Sequence, residues 1–109
     1  MAKRPAQPTV FAMRLAQARA RAGLSQKQLG VLAGMDPSVA SPRINQYEKG
    51  VHEPQLETAK RLAEVLGIPA ALLYTDDDQL AKLLLLWSSM SAAQRKRLIK
   101  AAEAEAPPP

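Results

Sequence analysis

The 109-residue sequence contains no cysteine, a single histidine and only four aromatic side chains. Without cysteine the chain can form no disulfide framework, no thiolate nucleophile and no cysteine-ligated zinc finger. His52 has no second histidine with which to form a metal site, and the sequence shows no nucleophile–base pair in which it would act. We therefore expect a protein with no cofactor, no bound metal and no enzymatic activity.

Long apolar runs are also missing. The run over residues 83–87 is far too short to span a membrane, which requires about 20 apolar residues. The length is that of one domain, and the 47% of hydrophobic residues are enough for a core made mostly of leucine and alanine. These features predict a small soluble protein in the cytoplasm.

Acidic residues are absent before Asp36, and the charge is divided unevenly along the chain. Residues 1–53 carry eight lysines and arginines against three acids, whereas residues 54–109 carry seven of each sign. All of the net charge of +5 thus lies in the first half. A basic half joined to a neutral half favours a polyanionic partner for the first and another role for the second.

Capping signals and apolar spacing divide the chain into short helices. Thr9 can cap a first helix with an apolar stripe, and Gly23 is placed to end it. Capping boxes, in which serine is followed three residues later by glutamine, begin at Ser25 and Ser91. No strand pattern is present. The predicted fold class is all-α, with a five-helix domain that contains a helix-turn-helix and a C-terminal helical pair.

The predicted organisation has four parts. Proline and basic residues without apolar periodicity indicate a flexible basic arm over residues 1–8. The helix-turn-helix domain covers residues 9–75, and the C-terminal helical pair covers residues 76–105. Residues 106–109, which include three consecutive prolines, are predicted to be a disordered tail.

The start of the third helix is ambiguous between two signals. Ser41 can act as N-cap with Pro42 at the first helical position, where the missing amide of proline costs nothing. Asp36 followed by Pro37 is an equally well-formed start, but it leaves Pro42 inside the helix, where a hydrogen bond is lost. This loss favours the start at Ser41. Gly50 ends the helix in either case.

An ordered set of residues resembles the Cro- and phage-repressor-type helix-turn-helix family, also described as xenobiotic-response-element-like regulators. The set extends from Phe11 to Leu73 and includes Arg19, Gly23, Leu24-Ser25-Gln26, Leu29, Ala33-Gly34, Ile44, Tyr47-Glu48-Lys49-Gly50, Pro54, Leu62-Ala63 and Leu66-Gly67-Ile68. The resemblance implies a five-helix repressor fold that binds DNA. One stretch departs from it, because the chain from Gly34 to Glu48 is longer than usual by about four residues, close to one helical turn.

The resemblance and the side-chain chemistry together predict the residues that contact DNA. Glutamine and asparagine suit adenine, and arginine suits guanine or a phosphate. The base-contacting candidates are Gln46, for which the resemblance is strongest, then Arg43, Asn45, Ser41 and Pro42. The phosphate-contacting candidates are Gln26, Lys27 and Lys49, with the backbone amides of Gly50, Val51 and His52. The alternative for each residue is an ordinary position on a solvated surface.

Two further sets of residues are predicted to stabilise the fold or to form a dimer interface. Arg19 and Glu48 resemble the internal ion pair of the family, which links the first and third helices. The sixth helix is richer in leucine than docking on the core requires, and its dimer candidates are Leu80, Leu83, Leu84, Leu85, Leu86 and Trp87. We expect Leu80, Leu83, Leu84 and Trp87 to face the core, with Leu85 and Leu86 partly left over. Packing within one chain and a dimer interface both remain open.

The function predicted from these observations is sequence-specific binding of double-stranded DNA by a dimeric transcriptional regulator. The partners are an inverted repeat in DNA and a second copy of the chain. A repressor from a bacterium or phage fits best, and an autoregulating antitoxin is one variant of it. The alternative is a protein-interaction adaptor that uses the same fold with little DNA specificity. The amides of Asn45 and Gln46 favour DNA, since an adaptor does not need them.

Overall fold

The computed structural model describes residues 9–109, and over these residues the chain forms six α-helices and one 3₁₀ helix with no strand. The elements in order are α1 (Val10–Ala22), α2 (Gln26–Leu32), α3 (Pro37–Glu48), α4 (Leu56–Leu66), the 3₁₀ helix (Ala70–Tyr74), α5 (Asp78–Ser89) and α6 (Ala92–Glu105). The all-α class predicted from the sequence is confirmed. The arm predicted for residues 1–8 lies outside the described residues.

The helix ends follow the local signals of the sequence. The Thr9 hydroxyl accepts a hydrogen bond from the Ala12 amide at 3.0 Å, and Gly23 ends α1 in the left-handed conformation at φ 70°. Both capping boxes form, with Ser25 and Gln28 bonded reciprocally at the start of α2, and Ser91 and Gln94 at the start of α6. Each box satisfies two backbone amides that a helix start would otherwise leave unpaired.

The core receives one large, fully buried side chain from each of the first five elements. These side chains are Leu15, Leu29, Ile44, Leu62 and Leu73. They pack with Phe11, Tyr47 and buried alanines into one cluster. Because every element from α1 to the 3₁₀ helix contributes to this cluster, the helix-turn-helix is held on a complete hydrophobic core.

The third helix begins one turn earlier than the favoured prediction. Asp36 is the N-cap of α3, and its carboxylate accepts the Ser38 amide at 2.8 Å and the Ser38 hydroxyl at 2.5 Å. Pro37 occupies the first turn, and Pro42 lies inside the helix on its exposed side. The predicted start at Ser41 is therefore wrong, and the four-residue departure from the family pattern is an added N-terminal turn of α3.

Packing against α2 accounts for the earlier start. Ala40 lies in the added turn and is fully buried. It meets Gly30 of α2 so closely that a Cβ atom at residue 30 would lie 2.6 Å from the Ala40 Cβ atom. Burial of Ala40 and the Asp36 cap offset the hydrogen bond that Pro42 cannot donate.

The C-terminal helical pair packs differently from the prediction. The buried residue of α5 is Ala81, whereas Leu80 and Leu83, which were expected to face the core, are each 43% exposed. Leu86 is 50% exposed, and Leu84, Leu85 and Trp87 are half-buried. Helix α6 has no buried residue. The predicted inward stripe is thus wrong for Leu80 and Leu83.

A buried arginine fixes the start of α5 against α1. The Arg14 side chain donates to the Thr75 carbonyl at 2.8 Å and to the Asp78 carboxylate at 3.0 Å. Its guanidinium also donates to the Gln17 amide oxygen at 3.3 Å. With these partners in place, the small Ala81 is the residue of α5 that is buried.

Among residues 9–109, no helix has the length and apolar character needed to cross a membrane.

Candidate DNA interface

Helix α3 has a buried side and an exposed side, and the division follows its sequence. Ala40, Ile44 and Tyr47 are buried, as the three- and four-residue spacing of one helix face requires. Pro42, Arg43 and Gln46 are exposed, and Ser41 and Asn45 are half-buried at the boundary. The five base-contacting candidates thus belong to the part of α3 that is not used for the core.

The exposed side of α3 borders a shallow cleft. Arg43, Gln46 and His52 line this cleft of about 410 Å³, together with the start of α4. Glu53 also lines it, so the cleft is not uniformly cationic. The structure therefore brings together an arginine and a glutamine, the two side-chain types that form bidentate hydrogen bonds with guanine and adenine in the major groove.

The side chain of Gln26 joins α2 to α3. Its amide nitrogen donates to the Asn45 side-chain oxygen at 3.2 Å and to Glu48 Oε1 at 3.2 Å. Both donors of this amide are used within the protein. These side-chain donors hold Asn45 in place, so the phosphate contact predicted for Gln26 is left to its backbone amide. The amide nitrogen of Asn45 is not part of this bond.

Arg19 and Glu48 form a two-point ion pair between α1 and α3. Arg19 Nε lies 2.5 Å from Glu48 Oε2, and Arg19 Nη2 lies 2.9 Å from Glu48 Oε1. Arg19 also donates to the Leu24 carbonyl at 3.0 Å. The hydrogen bond to Glu48 raises the pKa of Arg19, against an opposing effect of burial. This pair orients the carboxylate that also receives the Gln26 amide, so α1, α2 and α3 share one polar network.

The loop after α3 uses its amides to close that helix. The Gly50 amide donates to the Tyr47 carbonyl at 3.2 Å, and the amides of Val51 and His52 both donate to the Gln46 carbonyl. Gly50 takes φ 73°, a conformation that favours glycine. These three predicted phosphate contacts are therefore already engaged as backbone donors. Of the phosphate contacts predicted for the end of α3 and this loop, the Lys49 side chain is the exposed one.

Two features of this region were missed by the sequence reasoning. The hydrogen bond from the Gln26 side chain to the Asn45 side chain forms because α2 and α3 pack against each other, and no local sequence pattern indicates it. The added turn of α3 also exposes Ser38, which lies four residues before Pro42 and therefore on the same side of the helix. The added turn of α3 was indicated in the sequence by Asp36 followed by Pro37, the start that was not favoured.

Comparisons with known proteins agree with this geometry. The sequence profile of the helix-turn-helix family matches residues 15–73, which is more than half of the chain. The crystal structure of the transcriptional regulator BswR is similar, with a TM-score of 0.78 and 48% sequence identity over 85% of this chain and 92% of that one. No curated protein matches the chain.

The family match covers the elements that form the core and the polar network described above. Residues 15–73 include most of α1, all of α2, α3 and α4, and most of the 3₁₀ helix. This family identity indicates a regulator that binds DNA and not an enzyme. The chain belongs to the Cro/C1-type helix-turn-helix family of DNA-binding regulators.

Proposed function

We propose that this protein is a homodimeric repressor of transcription that reads an inverted repeat in double-stranded DNA with α3. The observation that carries the proposal is the exposed side of α3, where Arg43 and Gln46 lie together over a firmly packed Ile44 and Tyr47. In helix-turn-helix proteins the second helix of the motif enters the major groove. The packing of α3 on the core suits this role, because a side chain can recognise a base only if its helix is held at a fixed position and orientation.

Distinct roles follow from the surroundings of each side chain. Gln46 is exposed and is suited to paired hydrogen bonds with adenine, while Arg43 is suited to guanine. Asn45 uses its oxygen to accept from Gln26, so its amide nitrogen is the group left for DNA. Ser41 and Pro42 contribute a hydroxyl and an apolar edge. Lys27 and Lys49 are exposed cations for the phosphate backbone.

The homodimer rests on the apolar surface of α5. Leu80, Leu83 and Leu86 are all at least 43% exposed on one short helix, and clustered exposed leucines mark an interaction surface. A two-fold dimer also explains how two recognition helices would meet successive major grooves about 34 Å apart. The similarity to the transcriptional regulator BswR supports a regulatory role for the DNA binding.

The salt dependence of binding to duplex DNA tests this function. If about four to six phosphates are neutralised per subunit, the log–log slope of the association constant against salt is roughly −4 to −5 per subunit. Lys49→Ala should weaken binding to all sequences alike and reduce the slope by about 1. Lys60→Ala, an exposed lysine on α4 paired with Glu57, is the matched control. A slope near zero for the wild-type protein contradicts the proposal.

A further inference from the structure

The C-terminal part of α6 has an apolar line that residues 9–109 cover only in part, since Leu98 is half-buried. Leu98 and Ala102 are four residues apart and so lie on one side of α6, and Ala106, the C-cap, follows at the same interval. Ile99 lies beside them and is 48% exposed. No residue of α6 is buried, although every other described helix buries at least one. A helix that buries no residue of its own and carries this line is available for packing against a partner.

A groove of about 620 Å³ lies between α1 and α5. Apolar side chains form much of its lining: Ala18, Leu66, Ile68, Leu72, Ala81 and Leu85. No residue of α6 lines it, so the chain's own last helix does not fill it. The groove is on the side of α5 that carries Ala81 and Leu85, and the exposed Leu86 also lines it. Leu80 and Leu83 are on the other side of α5.

The charged lining of this groove is of one sign. Arg14, Arg21 and Lys82 line it, and none of its lining residues is acidic. Arg14 is already bonded to Asp78, Gln17 and Thr75. Within residues 9–109, Arg21 on α1 and Lys82 on α5 take part in no salt bridge. Two free cations thus stand on the two helices that form the walls.

We propose that the groove binds the C-terminal end of α6 from a second copy of this chain, and that the two copies exchange these ends reciprocally. Residues 101–109 contain Glu103 and Glu105 and no cation. Two residues along an α-helix correspond to about 200° of rotation, so the glutamates flank the apolar line on its two sides. One can then meet Arg21 while the other meets Lys82.

The charges of α6 favour binding of its acidic C-terminal end to the groove over binding of its basic first part. Arg95, Lys96, Arg97 and Lys100 precede the two glutamates, and they would be repelled by the cations of the groove. Arg95 is moreover occupied, since its Nε donates to the Trp87 carbonyl at 3.0 Å and its guanidinium lies 5.0 Å from the Trp87 ring centre. This contact holds the start of α6 at the end of its own α5.

The exchange rests on the proposed homodimer and specifies how it is built. In a two-fold dimer, a contact from the first copy to the second is repeated from the second to the first. The contact between helix end and groove therefore occurs twice in the dimer. The exchanged ends of α6 would adjoin the exposed leucines of α5 at Leu86, which lines the groove, and no residue of α3 lines it.

Charge reversal in the full-length chain tests the exchange by sedimentation equilibrium in the absence of DNA. One variant carries Arg21→Glu with Lys82→Glu, and the other carries Glu103→Lys with Glu105→Lys. Each alone should raise the dimer dissociation constant by about tenfold or more, because two attractive pairs become repulsive in each half of the interface. An equimolar mixture of the two variants should form heterodimers, since the reversed charges again match.

Controls separate this inference from the proposed function. The variant with Lys60→Glu and Arg61→Glu on α4 has the same charge change outside the groove and should dimerise like the wild type. Leu83→Asp should disrupt the dimer through α5. If Leu83→Asp disrupts the dimer and both charge-reversal variants leave it intact, the exchange is overturned and the homodimer stands. A wild-type protein that is monomeric at all concentrations overturns both, and DNA binding is then judged on its own titration.

A covalent trap provides a second measurement that does not depend on affinity. Because the chain has no cysteine, Lys82→Cys and Glu103→Cys each introduce a single thiol. After equal amounts of the two variants are mixed and oxidised, the disulfide-linked heterodimer should exceed either linked homodimer by far more than the twofold ratio that random pairing gives. A purely statistical distribution of linked species overturns the exchange.

Discussion

The helix-turn-helix domain and the C-terminal helical pair differ in whether they bury large apolar side chains. Each of the first five elements places a large side chain in the core with no exposure, whereas α5 buries only Ala81 and α6 buries nothing. The domain presents polar side chains on α3, while the pair presents leucines. The proposed function rests on this contrast: the domain binds DNA, and the pair is proposed to hold two copies together.

The largest expected effect separates the two regions by their leucines. Leu62→Ala removes a fully buried side chain from the domain and should lower the free energy of unfolding by about 2–5 kcal/mol. Leu83→Ala in the pair should change it by no more than about 0.5 kcal/mol at protein concentrations where the chain is monomeric. Chemical denaturation measures both. Equal losses would show that α5 is part of the core and would remove the contrast.

A smaller effect is expected for the ion pair inside the domain. Glu48→Ala leaves Arg19 without its carboxylate and Gln26 without one acceptor, and we expect a loss of about 2–3 kcal/mol. The Arg19 side chain is 22% exposed, so water reduces the loss below that of a fully buried pair. Thermal melting of Glu48→Ala should be compared with Glu57→Ala, whose exposed pair with Lys60 contributes little. An unchanged melting temperature for Glu48→Ala would mean that the pair is an ordinary surface contact.

The smallest effect concerns the cap of the added turn of α3. Hydrogen bonds from the hydroxyl and amide of Ser38 lower the pKa of Asp36. The ionised form is therefore favoured in the folded state, and its contribution to stability is present above the unfolded pKa of about 3.9. It should be lost as the pH falls through the lower folded value.

The variant Asp36→Asn isolates this contribution, because asparagine is as good an N-cap but does not titrate. The stability difference between wild type and variant should be constant from neutral pH down to about pH 5 and should then diminish. Thermal melts across this range measure it. A difference that stays the same down to the acid transition would show that the bonds to Ser38 do not depend on ionisation.

Local signals explain why much of the domain could be predicted from the sequence. Caps such as Thr9 and Ser25 act on amides two or three residues away, so their partners can be identified without the fold. The start of α3 could not be decided in this way. Asp36 and Ser41 are both adequate caps, and the choice depends on the contact of Ala40 with Gly30 in another helix.

The orientation of α5 shows a second limit of the sequence reasoning. Its larger apolar stripe was assumed to face inward, but Ala81 is the residue that is buried. Arg14 determines this orientation through Thr75 and Asp78, more than 60 residues away in the sequence. The only sequence signal was the position of Arg14 on the apolar stripe of α1, three residues after Phe11. The base-contacting residues remain a prediction.

The central claim is that α3 reads DNA through Gln46, and selection of bound sites from random duplex DNA tests it most directly. The wild-type protein should enrich an inverted repeat. Gln46→Ala should enrich the same repeat with preference relaxed at one position in each half-site, a loss of about 1–3 kcal/mol in discrimination. Failure of the wild-type protein to enrich any motif, or an identical motif from Gln46→Ala, would contradict the claim.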